Sequence, residues 1–442
     1  YVDALPGRGK RFMLRALVLA LRSPSFGRPL IVITVVSTGV AASQYLGGFS
    51  APETDGTTAH RRFRISVRAS WDSDDPPECQ VTGGSDAAAL LRVADVCVWD
   101  ELANARRADF EAVDAGLREL RDSDLPFGGV TFIGLGDFHQ IPPIVIGVTP
   151  ESHLEHLMHQ SPLWRHVTVT TLRQSVRKGA DAGYSDLVDA LCTNSWPASS
   201  PNGLSLLPSW MARVQGEDDA IDFAFPRLDD PGHIAQGAIM CSTHAAADVY
   251  NDNLYARIPG TEVEREAFDV VDPDHDYVSD ERLELHRSYG VPPRTLRLRQ
   301  GAVYGIMRNL SPALAHNTLV AVVSWTANLI AVRVIREGVV SETIDFLPRI
   351  NFEFDLRARV GPHVVRRQFP LYFYGATTIN SCQGRTLDRA VVDLISPPFD
   401  HGHVGVQFSR VRSRDAIRVR CDESSVIDDR VPVNNIVVPT FL

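Results

Sequence analysis

A chain of 442 residues is long enough for two or three domains, and 44% hydrophobic with 22% charged residues is an ordinary globular balance that can bury a sizeable core. The longest apolar runs, such as Leu30–Val36, are far too short to span a bilayer, and no secretory signal opens the chain. Six scattered cysteines without a CxxC pair argue against a zinc module or a disulfide scaffold, and the net charge of −10 confines any nucleic-acid contact to local groups of arginines.

Three such groups stand out: Arg61, Arg62, Arg64 and Arg68; Arg294, Arg297 and Arg299; and Arg410, Arg412 and Arg414. Each, taken alone, also reads as a solvated surface. The first residue is Tyr1 and the sequence opens inside a strand pattern, so a fragment or processed product is expected.

From the start to residue 180, short β-branched runs alternate with amphipathic stretches. A helix is predicted over Lys10–Arg22, strands over Leu30–Val36, Val93–Trp99 and Val130–Leu135, and a second helix over Ala103–Leu120. Continuous apolar strands separated by helices imply a parallel sheet covered on both faces. Residues 49–88, rich in Gly, Ser, Asp and Pro, read as a surface excursion. Cys192–Gly216, with three prolines, reads as a link between two halves. The second half resumes with a strand in Ala235–Thr243 and a helix from Ala245 to Ile258. Val303–Arg308, Leu319–Trp325 and Ile330–Ile335 are closely spaced strands of the kind found in a small antiparallel barrel. A strand–loop–helix pattern runs from Leu371 to Thr386, and Val391–Leu394 is a further buried strand.

Three polar elements sit at the ends of predicted strands. Ala4–Arg11 (ALPGRGKR) places glycines and a lysine between a strand and a helix. A phosphate loop needs this layout: glycines admit phosphates to backbone N–H groups, the helix N-terminus favours negative charge, and lysine reaches the terminal phosphates. Against GxxxxGK[ST], Gly9 and Lys10 fit, while Ala4 and Arg11 do not. Val96–Glu101 ends in two adjacent carboxylates, Asp100 and Glu101. They suit a Mg²⁺ and an attacking water, and equally a pair of exposed acids at a helix start. Phe132–Pro143 ends in Gly136-Asp137-Phe138-His139-Gln140, where a glutamine can sense a terminal phosphate. The three elements fall in order, each at a strand C-terminus, the edge at which open parallel sheets bind ligands.

At this point the chain resembles the Pif-type DNA helicases and the helicase part of Helitron transposons. The resemblance extends over nearly the whole chain. Ser37–Ala42 resembles motif Ia, and Thr58-Ala59-His60 the short TAH motif. Trp99-Asp100-Glu101 matches the Walker B form, and Leu125–Gly129 with Gly136–Pro143 resembles the approach to motif III. Leu172–Arg177 resembles motif IV, and Phe346–Ile350 and Arg366–Pro370 resemble the FIPRI and RRQFP signatures. Thr378–Leu387 resembles motif V and Ser409–Arg414 motif VI.

The resemblance implies two RecA-like P-loop α/β domains, residues 1–180 and 181–442, each a parallel sheet flanked by helices. It also implies a small SH3-like β insertion at about 315–368 in the second. ATP and Mg²⁺ are implied in the cleft between them, held by Pro6, Gly7, Arg8, Gly9, Lys10, Arg11, Gln383 and Gly384, with Asp100 as metal ligand. Glu101, Asp100 and Gln140 are implied in hydrolysis, with Arg177 and Arg410 as arginine fingers. Thr38, His60 and Asn380 are implied DNA contacts. The implied activity is 5′–3′ translocation on single-stranded DNA, acting on forks and duplex junctions as a monomer. A nuclear and possible mitochondrial setting, with roles in repair, recombination and telomere maintenance, follows only from the family.

The departures from the pattern concern the phosphate loop. Arg11 stands where the family has a threonine, and arginine has no lone pair for a metal. Ala4 replaces a glycine, and a Cβ there is expected to strain the turn. Ser381 stands where many relatives have lysine. These departures keep a second expectation open, a catalytically inactive nucleotide- or DNA-binding relic. A P-loop enzyme of another class, such as a small-molecule kinase, leaves motifs V and VI unexplained.

Overall fold

The computed structural model describes residues 1–24, 27–37, 57–65, 77–145, 153–176, 181–197, 200, 202–272, 278–286, 290–311, 313–356 and 361–438. The first half is built on six strands, β1 (Val2–Asp3), β2 (Val32–Val36), β3 (Thr57–Thr58), β4 (Val96–Asp100), β5 (Thr131–Gly136) and β6 (Thr170–Thr171). They lie in the order β3-β2-β4-β5-β1-β6, and every pairing is parallel. Residue alternation assigns the two faces. Val32, Val36, Val96 and Val98 pack with Leu14 and Val18 of the Lys10–Arg22 helix. Ile33, Val35, Cys97 and Trp99 pack on the other face with Phe110, Val113 and Leu117 of the Arg107–Arg121 helix. Parallel strands covered on both faces must be apolar throughout, and this is why these runs are legible as strands.

The Lys10–Arg22 helix has the bounds expected of it. The next one starts later than expected: Leu102–Asn104 is a 3₁₀ turn, and the α-helix begins at Arg107. Between 57 and 65 the excursion touches the core: β3 pairs with β2, and Phe63 is fully buried with its ring stacked 6.4 Å from Trp99. Thr58 caps the short Ala59–Arg62 helix by accepting from Arg61 N–H.

The second half has its own parallel sheet, in the order Ala376–Thr378, Gly237–Cys241, Arg389–Asp393, Ile417–Arg420. One face buries Ala238, Met240 and Val392 under the Ala182–Cys192 and His403–Phe408 helices. The other buries Ile239 and Val391 under the Glu217–Ala224 and His244–Arg257 helices.

Antiparallel strands run from Glu262 to Phe373, between the His244–Arg257 helix and the Ala376–Thr378 strand. The expected strands at Val303–Ile306, Leu319–Trp325 and Leu329–Arg336 pair antiparallel, and Asp345–Pro348, Val339–Val340 and Leu371–Phe373 extend the sheet. Among the described residues no strand pair closes this sheet into a barrel. His363–Gln368 lies between Phe268–Val271 and Ile350–Asp355 in a separate three-stranded antiparallel sheet, where Arg366 bonds Asp269 and Gln368 bonds Arg265 O. The apolar cluster of the second parallel sheet continues into the antiparallel one, from Tyr250 and Leu254 to Val320 and Val332.

Candidate nucleotide site

Because β1, β2, β4 and β5 are parallel, Asp3, Val36, Asp100 and Gly136 end at one sheet edge. The glycine loop follows β1 there. Gly7 and Gly9 take φ of 75° and 78°, the left-handed region glycine enters without a Cβ penalty, and Gly9 caps the Lys10–Arg22 helix. Ala4 is fully buried but is not among the residues of positive φ. The expected strain at Ala4 is therefore absent: the turn places its left-handed residues at Gly7 and Gly9. Ala4 N–H donates to Gly136 O at 3.2 Å and ties the loop to β5.

Asp137 organises the site. It is 3% exposed. Lys10 Nζ lies 3.8 Å from its Oδ2, which also accepts from Gln140 Nε2 at 3.0 Å. Its Oδ1 accepts from His139 N–H at 3.0 Å and lies 3.1 Å from His139 Nδ1. Burial alone would raise this carboxyl, but Lys10, His139 and Gln140 together hold it below the usual carboxylate range. Asp3 behaves oppositely: burial and the Asp137 charge push it up. Lys10 Nζ also donates to Ala4 O, with Leu5 O at 3.4 Å.

Glu101 follows β4 in a left-handed conformation, φ 54°. Its N–H donates to Asp100 Oδ1 at 2.9 Å, and Asp100 is 8% exposed. Ser37 fixes this corner by donating to Glu101 O at 2.7 Å and accepting from Trp99 Nε1 at 2.9 Å.

The second half closes over this edge. Gln383 Nε2 lies 3.1 Å from Asn104 Oδ1 and 3.4 Å from Gln140 Oε1. Gly384 beside it has φ 79°. Ile141, Ile379 and Val406 form a buried apolar contact between motifs III, V and the helix leading to motif VI. Arg410 is 5% exposed and donates to Val406 O at 2.9 Å, Arg385 O at 3.1 Å and Ser409 Oγ at 2.7 Å. Burial holds its pKa below the ordinary arginine value, against the opposing pull of Glu101 and Asp137. Lys10, Glu101 and Arg410 thus share one electrostatic neighbourhood. Arg8 pairs with Asp189 of the Ala182–Cys192 helix at 2.6 Å.

Of the remaining expected site residues, Pro6 is half-buried in the glycine loop and Arg11 half-buried in the first turn of the Lys10–Arg22 helix. Thr38 and Arg177 lie outside the described residues. His60 turns toward the first half, 3.8 Å from Asp109 Oδ2, and burial lowers its pKa. Asn380 is exposed in a 3₁₀ turn beside Ser381, whose Oγ lies 3.0 Å from Thr378 Oγ1. Arg294, Arg297 and Arg299 pair with Asp280, Asp252 and Glu262.

Sequence reasoning passed over Asp3, Asn104 and the organising role of Asp137. Asp137 had a signal, a lone acid at a strand end inside an apolar run. The FIPRI- and RRQFP-like segments prove to be neighbours: Arg349 lies over the Phe268 and Phe369 rings and donates to Gln368 Oε1 at 2.9 Å.

Residues 1–189 match the family model of the PIF1-like helicases. The chain is 26% identical over 438 residues to the ATP-dependent DNA helicase PIF1 of Danio rerio, covering 93% of this chain and 57% of that protein. It is 25% identical to the Homo sapiens counterpart, over 94% of this chain and 58% of that one. The chain therefore spans little more than half the length of these relatives. A crystal structure of Pif1 helicase from Bacteroides with ADP-AlF3 and ssDNA matches at a TM-score of 0.68 and 20% identity, covering 99% of this chain and 90% of that one. Pif1 helicase from Candida albicans matches at 0.60 and 20% identity, covering 95% and 90%. Residues 1–189 thus match the PIF1-like helicases at the level of a family model, and likeness to Pif1 helicases in sequence and fold extends along almost the whole chain.

Proposed function

We propose that this chain is the ATP-driven motor region of a DNA helicase, moving 5′–3′ on single-stranded DNA and acting at forks and duplex junctions. The observation that carries the reading is the chain of contacts from Lys10 through Asp137 and Gln140 to Gln383, which spans both halves at one sheet edge. The two motor domains are residues 1–180 and 181–442.

The residues fit a nucleoside triphosphate. Gly7 and Gly9 open the loop backbone, the Lys10–Arg22 helix points its N-terminus at the site, and Lys10 brings an ammonium. Mg²⁺ is fitted less fully. Asp100 offers a carboxylate, while Arg11 offers no lone pair where a hydroxyl would ligate. When bound, ATP supplies the transferable phosphoryl group and Mg²⁺ neutralises charge on its oxygens.

The chain's own residues then have distinct tasks. Lys10 and Arg11 hold phosphate, Glu101 orients and deprotonates water, and Gln140 reads the terminal phosphate from its anchor on Asp137. Arg410 and Arg177 place fixed planar cations beside the charge that develops on transfer. Gln383 and Gly384 link this chemistry to the DNA track, where Thr38, His60 and Asn380 meet DNA. A nuclear site of action and a Helitron-like origin belong to the same reading. Arg11 favours a second reading, a relic that binds nucleotide and DNA with little turnover.

DNA-stimulated ATP hydrolysis by this chain and by Arg11→Thr separates the two. The expected result is nucleotide binding by both and turnover raised about tenfold or more in Arg11→Thr, the scale of one recovered metal ligand. Equal strong rates would remove Arg11 as a defect. Failure of both proteins to bind nucleotide would overturn the motor reading.

A further inference from the structure

The loop that carries Gln140 is gripped from the second half by residues that neither the motif resemblance nor the proposed chemistry uses. His401 is 1% exposed, and its Nε2 lies 3.0 Å from Phe138 O, across a sequence separation of 263 residues. Its Nδ1 accepts from Val438 N–H at 2.9 Å. An imidazole that accepts at Nδ1 carries its proton on Nε2, so the pairing assigns a neutral tautomer donating to Phe138 O.

Gly402 completes the grip. Its φ is 72°, and a Cβ there would sit 2.6 Å from His139 O and 2.8 Å from the Gln140 carbonyl carbon. No side chain fits that space, and an L-residue is strained in that conformation as well. Gly402 N–H donates to Ile436 O at 3.0 Å. The backbone on both sides of Gln140 is therefore fixed: Phe138 by the imidazole, His139 and Gln140 by the close approach of Gly402, and Ile141 by packing on Ile379 and Val406.

We propose that His401 and Gly402 are positioning residues for Gln140: they lock the Phe138–Ile141 loop to the second half, with the 436–438 segment as backing. The catalytic part of this inference rests on the motor reading, whereas the mechanical part stands on the geometry alone. Small displacements of a positioned group cost large factors in rate, so a lock of this kind acts on turnover more than on ATP capture.

Two isosteric replacements divide the grip. His401→Asn places its Oδ1 near the imidazole Nδ1 and keeps an acceptor for Val438 N–H, losing the bond to Phe138. His401→Gln places its Nε2 near the imidazole Nε2 and keeps the donor to Phe138 O, losing Val438. Hydrogen–deuterium exchange reads the mechanical part in the free proteins. His401→Asn is expected to speed exchange across 137–141 about tenfold, while His401→Gln stays within about threefold of the parent there and speeds 438 instead. Gly402→Ala is expected to speed both segments.

In an Arg11→Thr background, His401→Asn and Gly402→Ala are expected to lower kcat about tenfold, with KM for ATP within about threefold and His401→Gln retaining most of the turnover. Unchanged exchange across 137–141 in all three variants overturns the lock. Loss of protection along the whole chain in both His401 variants overturns it too, because the residue would then be merely structural. Faster local exchange with intact kcat overturns the positioning role. If the Arg11→Thr parent lacks turnover, the motor reading fails by itself, and exchange still decides whether the lock exists.

Discussion

Arg410 is a buried cation whose guanidinium bonds Val406 O, Arg385 O and Ser409 Oγ of its own half, while Glu101 and Asp137 attract it from the other half. Two losses are therefore expected from Arg410→Ala. The carbonyls of Val406 and Arg385 lose a buried donor, which costs about 1–3 kcal/mol and is read in thermal unfolding. Turnover in the Arg11→Thr background falls about a thousandfold, the scale of a missing arginine finger. Arg410→Lys keeps the charge without the fork and is expected to recover stability better than rate. Rate unaltered by Arg410→Ala would take Arg410 out of the chemistry. The arginine itself was legible in the sequence, since an arginine-bearing segment after a buried strand fits a familiar motif. Its burial was not, because nothing local announces that Val406 O and Arg385 O point at the same guanidinium.

At the level of elements, Arg366 and Asp269 form the polar centre of the three-stranded sheet made by Phe268–Val271, His363–Gln368 and Ile350–Asp355. Arg366 is fully buried, donates through both Nε and Nη2 to Asp269 at 2.9 and 2.8 Å, and reaches Pro292 O and Leu283 O. Removing one partner strands the other charge in the interior. Asp269→Ala is expected to cost about 3–5 kcal/mol in chemical denaturation, and Arg366→Met with Asp269→Leu to cost far less than the sum of the two single changes. An additive double variant would show that the pair is not coupled. This sheet explains the limits of sequence reading. The closely spaced apolar runs Leu319–Trp325 and Ile330–Ile335, with a turn between them, announced strands, and their proximity announced the antiparallel pairing. Phe268–Val271 pairs with a strand almost a hundred residues away, Asp269 with Arg366, and no local pattern carries such a register. The parallel strands were easier, since β4 and β5 are apolar end to end and finish in polar groups.

At the scale of the whole molecule, the Ala182–Cys192 helix is one of the places where the two halves meet. Its N-cap Asp181 accepts from Arg414 Nε at 2.9 Å, Nη2 at 2.8 Å and backbone N–H at 3.1 Å, and these bonds hold its carboxyl well below the usual range. Its Asp189 holds Arg8 of the glycine loop, and its Tyr184 hydroxyl donates to Phe408 O at 2.6 Å. The Arg8–Asp189 pair is expected to couple. Arg8→Ala and Asp189→Ala should each weaken nucleotide binding, the double change should weaken it no more than either, and the shortfall from additivity should reach about 0.5–3 kcal/mol in a double-mutant cycle read by nucleotide titration. Strict additivity would mean the two charges are neighbours without consequence. A rigid rod pinned at its first residue by one arginine and near its other end by another behaves as a seesaw. A tilt of the glycine loop is therefore expected to reach Arg414 through Arg8, Asp189 and one short helix.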